Sequence, residues 1–69
     1  MTNFELWIKA CRENKTKVFE LEPGLYKTWN EYLSGNNYCR TSPVYHVWDG
    51  DTRIYCGMSM RTAYGAVRK

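Results

Sequence analysis

Val44-Tyr45-His46-Val47-Trp48 and Thr52-Arg53-Ile54-Tyr55-Cys56 flank Asp49-Gly50-Asp51. Two runs rich in β-branched and aromatic residues around an Asp-Gly turn predict a β-hairpin. Loop length decides which side chains share a face, because a one-residue slip moves every side chain across the sheet. With a two- or four-residue loop, Tyr45, Val47, Ile54 and Cys56 fall on one side. His46, Trp48, Arg53 and Tyr55 fall on the other. The first set is the more core-like, and these two loop lengths are favoured over a three-residue loop, which sets His46 beside Ile54.

Upstream, Thr2-Asn3-Phe4-Glu5 matches a capping box, in which the Thr hydroxyl and the Glu carboxylate satisfy free backbone N–H groups reciprocally. Phe4, Trp7, Ile8 and Cys11 recur at i, i+3, i+4, i+7, one apolar stripe of a helix that stops near Asn14. Residues 17–22 alternate, with Phe19 and Leu21 on one face, and read as a short edge strand broken by Pro23-Gly24. Leu25, Trp29 and Leu33, flanked by Tyr26 and Tyr32, predict a second helix over 25–34, with Gly35 as its C-terminal cap. Residues 35–43 carry no regular pattern and read as a loop. Beyond the hairpin, Ser59 caps a last helix whose stripe is Met60, Ala63, Tyr64 and Val67, with Arg68 and Lys69 in its final turn.

The expected order is therefore helix, strand, helix, β-hairpin, helix: one α+β domain over residues 1–69, with three helices on one face of a small antiparallel sheet. The expected core is Phe4, Trp7, Ile8, Phe19, Leu21, Leu25, Trp29, Leu33, Val47, Ile54 and Val67. Sixty-nine residues allow a single domain of marginal stability, as a monomer or a homodimer.

Composition narrows the function classes. No apolar run exceeds three residues (Leu6-Trp7-Ile8 is one), far below the roughly 20 that a spanning helix needs. Met1-Thr2-Asn3-Phe4-Glu5 has neither the basic start nor the apolar block of a secretory signal. A cytoplasmic protein without membrane contact is expected. Three Trp, six Tyr and two Phe are too many aromatic rings for a solvated tail.

The formal charge is +3, and it is unevenly placed. Residues 1–37 carry five bases and five acids; residues 38–69 carry five bases (Arg40, Arg53, Arg61, Arg68, Lys69) against Asp49 and Asp51. Three cysteines (Cys11, Cys39, Cys56) are an odd number without the dense spacing of a disulfide scaffold, so reduced thiols are expected. Cys39, His46 and Cys56 fit no zinc-ligand spacing. Asp49-Gly50-Asp51 lacks the later ligands of a calcium loop. No metal or other cofactor is expected.

Catalysis has little to work with. His46 is the single histidine, which excludes a His-based acid/base pair; Cys56 falls on the opposite hairpin face in the favoured register, and Cys39 lies in the 35–43 loop. Phosphate-loop, dinucleotide and nucleophile-elbow motifs are absent. The chain reads as a non-enzyme.

The aromatic excess points instead to binding. An outer hairpin face of Trp48, Tyr55, His46 and Arg53 combines residue types enriched at the energetic centres of protein interfaces. Another protein is the expected partner of a small regulator or inhibitor, with Trp48 as anchor, Tyr55 beside it, Arg53 as directional donor and His46 as a pH-sensitive rim group. Arg61 and Arg68 are secondary contacts. In size and aromatic loading, the chain is of a kind with small phage or mobile-element proteins that redirect a host factor.

The alternative partner is nucleic acid, single-stranded and stacked on Trp48 and Tyr55, with the C-terminal arginines on its phosphates. Element order also resembles a shortened winged helix, with 25–34 reading DNA, although that segment exposes a single base, Lys27. A third reading makes Trp48 core, covered by the last helix or the 35–43 loop.

Overall fold

The computed structural model describes residues 1–68. Among them the order is α1 (Asn3–Glu13), β1 (Lys17–Glu22), β2 (Leu25–Trp29), β3 (Glu31–Ser34), β4 (Asn37–Arg40), β5 (Val44–Asp49), β6 (Thr52–Gly57) and α2 (Met60–Val67). The domain is α+β, but strand dominates and the predicted order needs correction. Lys69, read as part of the last helical turn, lies outside the described residues.

The principal correction falls on residues 25–43. No helix forms at 25–34: Leu25–Trp29 is a strand, and Glu31–Ser34 pairs antiparallel with Asn37–Arg40. The helical spacing of Leu25, Trp29 and Leu33 was overridden by β-prone residues (Tyr26, Thr28, Trp29, Tyr32) and by two hairpin turns. Pro23-Gly24 joins β1 to β2, and Gly24 takes φ +89°, the left-handed value that a Pro-Gly turn reserves for glycine. Gly35-Asn36 joins β3 to β4, so Gly35 closes a hairpin instead of capping a helix, and Asn37–Arg40 within the expected 35–43 loop is strand.

β1, β2, β5 and β6 form one antiparallel sheet in the order β1-β2-β5-β6, while β3 and β4 form a separate two-stranded ribbon. The ribbon leaves the sheet between β2 and β5. Its base is fastened where the Thr41 N–H donates to the Asn30 carbonyl at 2.8 Å and the Asn30 N–H donates to Thr41 Oγ1 at 2.9 Å.

The helices do not share a face, as they were expected to. α2 packs on the side of Leu25, Tyr45 and Val47, where Ala63 is fully buried and Leu21, Tyr55, Tyr64, Ala66 and Val67 complete the apolar cluster. α1 packs on the opposite side, through Phe4 and Trp7 against Tyr26, His46 and Trp48. A sheet covered on both faces loses the polar/apolar alternation that would have identified its central strands. Phe19, Leu33 and Ile54, expected in the core, are 56%, 63% and 50% exposed.

α1 begins as the sequence dictates. The Glu5 N–H donates to Thr2 Oγ1 at 3.1 Å, and the Glu5 carboxylate reaches back to the Thr2 N–H at 3.4 Å. Ser59 caps α2 in the same manner, its hydroxyl accepting from the Thr62 N–H at 3.2 Å. No helix among the described residues is long and apolar enough to cross a membrane.

Candidate functional site

The β5–β6 hairpin forms where the sequence places it, with Gly50-Asp51 as its two-residue loop between the paired Asp49 and Thr52. Its register departs from regular pairing at one point. Trp48 lies opposite Arg53, yet Val47 lies opposite Tyr55, so a bulge at Ile54 absorbs one residue. Beyond the bulge every β6 side chain changes sides. Tyr55 therefore joins Val47 on the α2 face, and Cys56 comes opposite His46 on the α1 face. The expected grouping of His46, Trp48, Arg53 and Tyr55 is thus broken at Tyr55.

The rest of that grouping lies beneath α1. Trp48 meets Phe4 edge-on at 5.4 Å between ring centroids and Trp7 at 5.5 Å, with the Arg53 guanidinium 5.8 Å from its ring. Tilted and edge-on contacts at these separations are the favourable arrangements for aromatic quadrupoles. The cover expected from the last helix or the 35–43 loop comes instead from the first helix, whose Phe4-Trp7 stripe needed a partner.

His46 is 7% exposed, with its ring 4.9 Å from that of Trp7. Its Nε2 lies 3.0 Å from Thr28 Oγ1, and Thr28 Oγ1 lies 3.3 Å from the Val44 carbonyl oxygen. A threonine hydroxyl has one proton, so the relay that leaves no buried N–H unpaired runs from His46 Nε2–H to Thr28 and from Thr28 to Val44. Nδ1 is then a lone pair without a partner. Burial, and secondarily the nearby Arg53 charge, hold the imidazole pKa below its ordinary value. His46 is a neutral interior residue in this fold and not a rim group.

Neither cysteine near this centre forms a nucleophilic pair with it. Cys56 faces His46 across the ladder, but no hydrogen bond joins them among the described residues. Cys11 is buried in α1, and burial raises its thiol pKa, which disfavours the thiolate. No group of three His, Cys, Asp or Glu able to hold a metal occurs among the described residues.

The remaining predicted contacts are scattered. Arg61 is exposed in the first turn of α2. Arg68 lies past the other end of that helix, 5.7 Å from the Tyr64 ring and 3.5 Å from Glu22. Such an exposed pair contributes at most about 1 kcal/mol.

The β3–β4 ribbon, by contrast, exposes aromatic side chains. Tyr38 is 80% exposed, and Leu33 and Tyr32 are more than half exposed. Leu33 stands directly opposite Tyr38, and Glu31 opposite Arg40, so these four share one face; Tyr32 and Cys39 are opposed on the other. The available signal was Ser34-Gly35-Asn36-Asn37: Gly-Asn between two aromatic runs is hairpin chemistry. The chain matches no protein-family model, and no curated protein or solved structure matches it.

Proposed function

We propose that the protein is a small non-enzymatic binding module, a regulator or inhibitor that docks on another protein through the β3–β4 ribbon. The observation that carries this reading is the exposure of Tyr38, Leu33 and Tyr32 on a two-stranded ribbon whose strands are tied together at the base by Asn30 and Thr41. A ribbon of two strands gains little stability of its own in water, and a partner that covers Leu33 and Tyr38 supplies the missing apolar contact. Tyrosine adds contact area at low entropic cost and keeps its hydroxyl available for a rim hydrogen bond.

Trp48 and His46 lie beneath α1 and take no part in this contact.

The experiment is site-specific photo-crosslinking in cells, with a benzophenone amino acid at Tyr38 and, as control, at Glu13 on the outer side of α1. The expected result is a discrete protein adduct from position 38 alone. The same adducts from both positions, or none from position 38, would contradict the assignment.

A further inference from the structure

One part of the sheet is left open by both helices. On β1 and β2, Lys17 stands opposite Trp29 and Phe19 opposite Lys27, and on β5 Tyr45 stands opposite Lys27. The two-residue alternation places Lys17, Phe19, Lys27 and Trp29 on one face, the face that α2 covers further along at Leu25 and Val47. α2 does not reach this end, because Phe19 is more than half exposed. Cations and aromatic rings therefore alternate as a checkerboard. Lys27 Nζ lies 5.6 Å from the centre of the Trp29 ring. Arg40 and Pro43 then close a concavity of about 250 Å³ over Lys27 and Trp29.

The charge of this surface is one-sided. Lys17, Lys27 and Arg40 surround the rings, and the acid beside them is Glu31, which accepts from the Trp29 indole N–H at 3.4 Å. Among the described residues none of the three cations has a carboxylate within 4.0 Å; the ion pair found is Arg68–Glu22.

We infer that this sheet face binds single-stranded nucleic acid, with bases stacking on Phe19 and Trp29 and the flanking phosphates lying against Lys17, Lys27 and Arg40. Rings displayed on an open sheet are reached by unpaired bases and not by bases stacked inside a duplex. Phosphates spaced along the backbone match cations distributed around the rings. The site goes beyond the protein-docking reading and does not depend on it. It also differs from the hairpin surface that the sequence nominated for nucleic acid.

The test is fluorescence anisotropy of a labelled 15-residue thymidine oligonucleotide at 50 and 200 mM salt. Wild type, Phe19→Ala, Lys17→Gln and Arg40→Gln are compared, each confirmed as folded by its circular-dichroism melt. Phe19, Lys17 and Arg40 are all exposed, so their replacement leaves the core intact. Saturable binding is expected, weaker at 200 mM salt. Phe19→Ala should weaken it about tenfold with the salt slope unchanged, and each charge replacement should lower the slope by about 0.7. An unlabelled duplex of equal length should compete less well than the single strand. Absence of binding at 50 mM salt, indifference to Phe19→Ala, or preference for the duplex would each overturn the assignment.

Discussion

The Asp51 carboxylate accepts the Phe4 N–H at 2.9 Å, joining the tip of the β5–β6 hairpin to the first turn of α1 across 47 positions of sequence. That contact fixes where α1 lies. With its N-terminus held at the hairpin turn, the helix runs over the β5 face, and Phe4 and Trp7 come down on Trp48. The capping carboxylate also complements the positive end of the helix dipole. The face that sequence patterning left open is thereby closed by the helix whose own apolar stripe lacked a partner.

Replacing Asp51 should consequently loosen α1 without unfolding the sheet. Asp51→Ala is expected to lower Tm modestly and to raise the acrylamide quenching of tryptophan emission. Hydrogen bonds from the Phe4 and Asn3 backbone N–H groups hold this carboxyl below its ordinary pKa. Its stabilisation is therefore present at neutral pH and fades as pH falls below the ordinary carboxylate range through the folded-state value. An Asp51→Ala variant whose Tm and quenching match wild type at pH 7 would contradict this role.

His46 imposes a second acid limit, at higher pH. Its folded-state pKa is lowered by burial and by Arg53. Below about pH 6.5 the unfolded chain gains a proton that the folded chain resists, so stability falls as pH drops from there toward the folded-state value. Thermal melts between pH 8 and pH 5 should show Tm declining through the lower half of that range. Replacing His46 with glutamine, which keeps a polar group for Thr28 but does not titrate, should flatten the decline. An equally steep decline in His46→Gln would assign it to other groups.

Trp48 should behave as a core residue. Trp48→Ala is expected to destabilise the fold by about 3 kcal/mol, at the lower end of the range for buried tryptophan because the ring is half-buried. Denaturant titration reads this directly, and a loss below about 1 kcal/mol would mean that α1 does not cover the ring.

Gly24 is the turn position least tolerant of a side chain. A Cβ built there would stand 2.9 Å from the Trp48 carbonyl oxygen, at a φ of +89°. The Gly24 carbonyl also accepts from the Trp48 N–H at 2.8 Å. Gly24→Ala should cost about 1–3 kcal/mol. Gly35→Ala, at φ +61° with open space around it, should cost less. Equal losses would show that backbone conformation alone, and not the approach of Trp48, sets the penalty.

Local signals carried much of this fold. The Thr2 and Ser59 caps, the Phe4-Trp7-Cys11 stripe, the 17–22 strand and the β5–β6 hairpin are each encoded by residues close in sequence, and each forms. Residues 25–34 misled because an apolar spacing of four falls on one side of a helix and equally on one face of a strand, as for Leu25 and Trp29. In that segment the β-prone aromatics and flanking turns were the better guide. The bulge at Ile54 had no local signature. It moved Tyr55 and Cys56 across the sheet and separated Tyr55 from Trp48, His46 and Arg53. Burial of His46 and Trp48 depended on where α1 docks, a contact between residues far apart in sequence that spacing rules do not reach. The ribbon's local signature is Gly35-Asn36, a dipeptide that suits a hairpin turn as well as a helix cap.

The central claim is that the ribbon is an arm for a protein partner and not part of the fold that presents it. Replacing residues 32–39 with Asn-Gly tests this while keeping the Glu31–Arg40 pair and the Asn30–Thr41 fastening. The decisive measurement is calorimetric titration of this variant against the purified protein that crosslinks to position 38. The account predicts a variant with a cooperative melt close to wild type and at least hundredfold weaker binding. A folded variant that binds that protein as tightly as wild type would contradict it.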